Sequence, residues 1–322
     1  RQMCIRDRYA FFVITPIFLI WLAFHRQRKS HGYRKSEVQA AFIFMAPWWV
    51  GFSLLIGGPI VFSILLSFTR YDVLTPARYV GLQNYRDVLA DPLFYKSIVN
   101  TAYMLIRVPL GMILSLGLAL LLNRAVRGIG FYRSAFFMPA VVPMVAASML
   151  WMWIFNPAQG PINQFFALLN IEGPRWLDDP NWSKPALIIV NLWMAGSGTI
   201  IWLAGLQSIP HQLYEAASID GAGAWKQFRH VTIPMLSPFI LFNAIIGVIT
   251  TMQIFVEAFV MTPNGQPGDS TLFYSYYLFK QAFEYFRMGP ASAMAWILLV
   301  IVLILTAIQL WASKKWVHYE QA

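Results

Sequence analysis

The chain has 322 residues, 58% of them hydrophobic and only 12% charged, with a formal net charge of +10 and a single cysteine. So few charges cannot cover the surface of a soluble domain of this size, and one cysteine excludes an intrachain disulfide or a thiolate metal site. The basic residues stand between apolar runs and form no long stripe, which argues against a nucleic-acid partner and for a lipid bilayer.

Met3-Cys4-Ile5-Arg6-Asp7 resembles one reading frame of the transposon-end adapter used in sequencing libraries. Residues 1–8 are therefore expected to be an assembly artefact, the alternative being a short natural leader. Residues 9–24 are apolar but short for a span. No small-residue cleavage site follows them, and a basic cluster does (Arg26, Arg28, Lys29, Arg34, Lys35). Residues 9–36 read as a truncated extra helix with a basic linker rather than as a signal peptide.

From residue 37 onward the chain reads as one transmembrane domain. Residues 38–68 form one bent span, interrupted by Pro47 and by Gly57-Gly58-Pro59. Further spans are expected over 98–122, 135–155 (with Pro139 and Pro143 early), 185–206, 238–261 and 289–312. Polar segments separate them at 69–96, 156–184, 207–237 and 262–288. The runs lack the polar/apolar alternation of barrel strands. The expected fold class is all-α: a polytopic bundle of six core spans plus an additional N-terminal helix.

The segment 207–237 carries the most information. It is too long for a turn and too polar for a bilayer. Ser208 and Pro210 read as a helix start, with a first short helix over 212–219. Asp220-Gly221 is a turn signal, and 224–232 reads as a second amphipathic helix stopped before Pro234. Ala216 and Ala217 allow close seating in a partner groove. Tyr214, Trp225 and Phe228 offer anchors, and Lys226 and Arg229 offer charge. The order is Glu215-Ala216-Ala217, three residues, Gly221, nine residues, Val231, any residue, Ile233, Pro234.

That order resembles the signature loop of the membrane (permease) subunits of ATP-binding-cassette importers, in the maltose-transporter-like carbohydrate branch. There the two apolar positions are Ile and Leu, so Val231 and Ile233 are apolar swaps. The similarity extends from about Val38 to the C-terminus and includes Val80-Gly81-Leu82-Gln83-Asn84-Tyr85 and Phe131-Tyr132-Arg133. The resemblance implies that Glu215, Ala216, Ala217, Gly221 and Pro234 couple the chain to a separate ATPase, present in two copies. It also implies a second permease subunit, an external solute-binding protein and a sugar or oligosaccharide cargo. ATP and Mg belong to the partner, so no cofactor is expected on this chain, which lacks a G-x-x-x-x-G-K-[ST] loop.

With 207–237 inside, the short loops on that side hold Arg124, Arg127, Arg133, Lys226, Arg229, Lys314 and Lys315. This agrees with the positive-inside bias; the resemblance implies that the loop and the C-terminus lie in the cytoplasm, at the cell membrane.

Polar residues inside spans mark a pathway or interhelical bonding. Asn243, Thr250 and Glu257 recur every seven residues with Gln253 beside them, and Asn191 lies deep in the preceding span. Arg107 stands mid-span, where a bare guanidinium costs about 2.5–3.5 kcal/mol even on the mild insertion scale. Glu257 is its obvious partner; snorkelling or direct contact with solute are the alternatives. Trp151, Trp153, Trp193 and Trp202 are candidates for stacking on sugar rings or for interfacial anchoring. A membrane enzyme is the competing class. However, none of the five histidines (His25, His31, His211, His230, His318) lies in a span or has metal-ligand spacing with another. No G-x-S-x-G or H-E-x-x-H motif is present. An ion-coupled carrier, working without an ATPase, is the other alternative.

Overall fold

A computed structural model describes residues 35–124 and 127–317. The expectations for 1–8 and 9–24 lie outside the described residues. The described chain is almost wholly helical, with one two-stranded hairpin, Thr69–Arg70 (β1) against Arg78–Tyr79 (β2). By length and composition, four helical runs can cross a membrane: Ala40–Ser67, Pro92–Leu122, Ser237–Met261 and Met288–Ser313. Two bent helix pairs bring the total to as many as six. Large apolar side chains such as Phe44, Leu55 and Ile113 are exposed on these runs, as expected of faces solvated by lipid.

The described residues divide into two compact units, 35–85 with 286–293, and 86–124 and 127–285 with 294–317. In the first, α1 (Lys35–Phe52) passes through a π-helical turn, Ser53–Gly57, into α2 (Gly58–Ser67). Proline at 59 lacks an N–H, and the wider turn absorbs the loss: the Gly58 N–H reaches five residues back to the Ser53 carbonyl. The end of α2 is held by the Val80–Tyr85 segment. Asn84 Nδ2 donates to the Ser67 and Thr69 carbonyls, both at 2.8 Å, and the Tyr85 hydroxyl bonds Ser67 Oγ at 2.9 Å. Gly289 sits flush against the Thr69 carbonyl, where a Cβ has no room.

Helix α3 (Gln83–Ala90), whose first residues belong to the first unit, leads in the second to α4 (Pro92–Tyr103), a 3₁₀ turn at Met104–Ile106 and α5 (Arg107–Leu122). The span starts earlier than residue 98 because Asp91 caps it, accepting from the Leu93 N–H at 2.9 Å with Pro92 in the first turn. The expected single span 135–155 is instead two helices, α6 (Ile129–Val141) and α7 (Met144–Ile154), bent by 97°. Pro143 forces Val142 into an extended conformation (ψ 127°) and ends α6 there.

After α8 (Pro161–Leu168), the expected span 185–206 is likewise a pair, α9 (Pro180–Trp193) and α10 (Gly196–Ser208), bent by 49°. Asp179 caps α9 through the Asn181 N–H at 2.8 Å, which moves its start to Pro180 and leaves Pro185 inside. Gly196 at the bend abuts the Phe136 backbone carbonyl, so α6 and α10 approach as only glycine allows.

The remaining helices are α11 (His211–Ile219), α12 (Ala224–Gln227), α13 (Ile233–Met235), α14 (Ser237–Met252), α15 (Val256–Met261), α16 (Tyr274–Phe279) and α17 (Met288–Ser313). Buried residues of this unit form three clusters. One gathers Phe155, Trp176, Leu187 and Phe273, one Phe94, Tyr274 and Met294, and the third Ala119, Trp202, Leu206 and Leu236.

Candidate functional site: an exposed knob and a polar cleft

The signature segment folds as a knob. Helix α11 ends in a Schellman motif: the Ala222 N–H bonds the Ala217 carbonyl at 2.9 Å and the Gly221 N–H bonds the Ser218 carbonyl at 3.1 Å. This closure requires a left-handed residue, and Gly221 has φ +76°. Gln227, which the sequence did not single out, braces the two short helices by donating to Ser218 Oγ (2.8 Å) and to the Ala222 carbonyl (3.0 Å). Glu215 and Ala216 face outward, Ala217 is half-buried, and Glu215 meets His211 at 3.1 Å one turn away. Ile219 and Trp225 are the knob's exposed apolar tips, 87% and 71% exposed, with Trp225 stacked on Phe228.

Three expectations for this segment change. Ser208 does not cap α11: its hydroxyl donates back to Gly205 and ends α10, while Pro210 occupies the cap position with no side-chain bond. Tyr214 faces inward, packing on the Trp202–Leu236 cluster, with its hydroxyl 3.0 Å from Thr232 Oγ1. Pro234 does not stop the second helix. A π turn at Phe228–Thr232 precedes it, and the Ile233 N–H reaches the Phe228 carbonyl, so the chain stays helical through Met235. Only Leu236 interrupts the path before α14.

At the other end of α14 lies a cleft of about 250 Å³ between α5, α9, α10 and α14. Arg107, Ser115, Asn191, Ser197, Asn243, Thr250 and Thr251 supply its polar lining. Arg107 Nη1 lies 3.5 Å from Glu257 Oε1, with the glutamate buried and the arginine side chain 13% exposed, and also donates to Asn191 Oδ1. Arg107 Nε donates to Thr251 Oγ1 at 2.8 Å. Asn191 Nδ2 donates to Glu257 Oε1 (3.1 Å) and to the Leu187 carbonyl (2.8 Å). Each of these residues stands beside a helix break: Arg107 after the 3₁₀ turn, Asn191 before the α9/α10 bend, and Thr251 and Glu257 on either side of 253–255. Side chains near helix ends have freedom to converge that a straight helix would deny them.

The seven-residue stripe is therefore only partly preserved. Asn243 and Thr250 line the cleft, but α14 ends at Met252, so Glu257 belongs to α15 and lies behind Arg107. Gln253 falls in the break, is exposed and does not line the cleft. Thr251 and Ser115 were missed, because one hydroxyl in an apolar helix has no distinctive signal. Trp202 is buried and unavailable to a ligand, donating instead to Ser115 Oγ at 2.8 Å. Trp151 packs on the Phe155 cluster and against Trp193, whereas Trp153 is exposed. Among the described residues, no group of three His, Cys, Asp or Glu side chains is placed to hold a metal ion.

Comparison with known proteins gives the family and the fold. Residues 108–318 match the family described as binding-protein-dependent transport system inner membrane component. A probable ABC transporter permease protein of Bacillus subtilis, YesP, is 38% identical over 298 residues, covering 91% of this chain and 96% of that one. The lactose transport system permease protein LacF of Rhizobium radiobacter is 33% identical over 281 residues, covering 85% and 93%. A chain in the crystal structure of a bacterial ABC transporter that imports the acidic polysaccharide alginate superposes with a TM-score of 0.76 at 20% identity, covering 92% of this chain and 98% of that one. This chain belongs to the binding-protein-dependent transport family, as a membrane-spanning permease subunit of an ATP-binding-cassette importer.

Proposed function

We propose that this permease carries a saccharide, that its cleft forms part of the translocation path, and that the knob around Glu215, Ala216, Ala217 and Gly221 receives the ATP-driven motion of a separate ATPase. The carrying observation is the short route between the two, helical but for Leu236. Pro234 and α13 run from the knob into α14, which places Asn243, Thr250 and Thr251 on the cleft wall. A wall of amide and hydroxyl groups suits sugar hydroxyls, and the cleft volume of about 250 Å³ lies just below the range of drug-sized ligand pockets, roughly 300–1,000 Å³, as fits one part of a longer path. The names of relatives support the solute class: lactose, arabinooligosaccharides, trehalose/maltose and sulfoquinovosyl glycerol.

In the same reading, two ATPase copies, a second homologous permease subunit and an external solute-binding protein complete the machine. A related alginate transporter has been crystallised with a saccharide-bound periplasmic protein. The knob and the C-terminus face the cytoplasm. ATP closure draws the knobs together and turns the path outward. The test is reconstitution of the chain in liposomes with candidate ATPase, second permease and binding-protein subunits taken from neighbouring open reading frames. Labelled maltose, lactose and arabinotriose serve as probes. ATP-dependent uptake of at least one supports the reading. Uptake by the chain alone under an ion gradient replaces it with an ion-coupled carrier.

A further inference from the structure

Arg107 is the one charged side chain lining the cleft among the described residues, and its counter-ion is not on the wall. Glu257 lies behind it, buried, 3.5 Å from Nη1 and bonded to Asn191. The remaining wall groups are amides, hydroxyls and apolar side chains. We propose that Glu257, out of the solute's reach, sets the charge selectivity of the cleft: it neutralises Arg107, so the wall offers guanidinium hydrogen-bond donors without net charge and takes polar uncharged solutes such as neutral saccharides. Thr251 and Asn191 act with it as positioning residues, fixing the guanidinium plane through Nε and Nη1. In a low-dielectric wall an uncompensated cation attracts anions strongly. Selectivity between neutral and acidic solutes thus depends on a residue the solute never touches. The inference rests on the cleft being part of the solute path, but its test needs no solute.

Ser197 lines the cleft and is exposed. The single cysteine of the sequence, Cys4, is replaced by serine and Ser197→Cys introduced into the full chain in nanodiscs. Modification rates are then measured with an anionic (sulfonatoethyl) and a cationic (trimethylammonioethyl) methanethiosulfonate. In the chain with native Arg107 and Glu257, the anionic-to-cationic rate ratio is expected to lie close to that of free mercaptoethanol. Glu257→Gln raises it about tenfold, and Glu257→Gln with Arg107→Met returns it to the starting value. A ratio about tenfold above the free thiol before any charge is altered overturns the proposal without need of a variant, so misfolding of Glu257→Gln does not protect it. A ratio unmoved by Glu257→Gln in folded protein also overturns it. Loss of saccharide uptake with a neutral wall instead counts against the path reading alone.

Discussion

At the residue scale, the Arg107–Glu257 pair was legible because physics leaves few options for a guanidinium in mid-span: it needs a buried partner, and the sequence holds one carboxylate at a matching depth. Asn191 was legible for the same reason. Gln253 was not, because its assignment assumed an unbroken helix. The Thr251 acceptor was hidden by its ordinariness. Removing either member of a buried ion pair strands the other and typically costs about 3–5 kcal/mol. We expect Arg107→Met and Glu257→Gln each to lower the thermal aggregation onset of the detergent-solubilised chain by several degrees. The double substitution should be milder than either alone, and additive losses would refute the pair. Ser115 offers a second check. It accepts from the buried Trp202 indole while donating to the Gly111 carbonyl, so Ser115→Ala orphans the indole N–H. Interhelical bonds in membranes are worth about 0.6 kcal/mol and at most about 1.7. A small fall in onset temperature is expected for Ser115→Ala, with none for Ser115→Ala added to Trp202→Phe.

At the element scale, existence and type of helix were readable, and ends were misjudged wherever proline acted unexpectedly. Asp91-Pro92 and Asp179-Pro180 are start signals present in the sequence, overlooked because the apolar run begins later. Pro143 breaks its span, whereas Pro59 and Pro234 are absorbed by π turns; one sequence symbol has two outcomes, decided by whether neighbouring carbonyls find donors. The knob's turn was fully legible, since Gly221 needs the left-handed region. A Cβ there meets no atom within 4 Å, so the penalty is backbone strain alone, about 1 kcal/mol. Gly221→Ala is therefore expected to leave the chain folded and inserted while displacing Ala222 and Gln227 from their bonds across the turn. In the reconstituted importer, solute-stimulated ATP hydrolysis should fall by an order of magnitude with little change in aggregation onset. Unchanged stimulation would show that the knob's shape does not matter.

For the whole molecule, the reach of a cytoplasmic ATPase to the knob depends on sidedness, on which hydropathy is silent and the charge of short loops bears. The short loops grouped with the knob are basic, and the bias is read from such loops. Leu168, at the end of α8, and Ile219, at the tip of α11, are 81% and 87% exposed. Their loops, 156–184 and 207–237, flank a single bent pair, α9 and α10, and so must lie on opposite sides if that pair crosses the membrane. With Cys4 replaced by serine, Leu168→Cys and Ile219→Cys are tested separately with a membrane-impermeant maleimide. Leu168→Cys should label in intact cells with a permeabilised outer envelope, and Ile219→Cys only in inverted vesicles washed free of peripheral proteins. Before the wash Ile219→Cys should be protected, because an apolar tip beside Trp225 is the part of the knob an ATPase groove would cover. Labelling of both from one side would show that α9 and α10 form a re-entrant loop. Labelling with the sides exchanged would leave the helices standing but remove any means for a cytoplasmic ATPase to reach the knob.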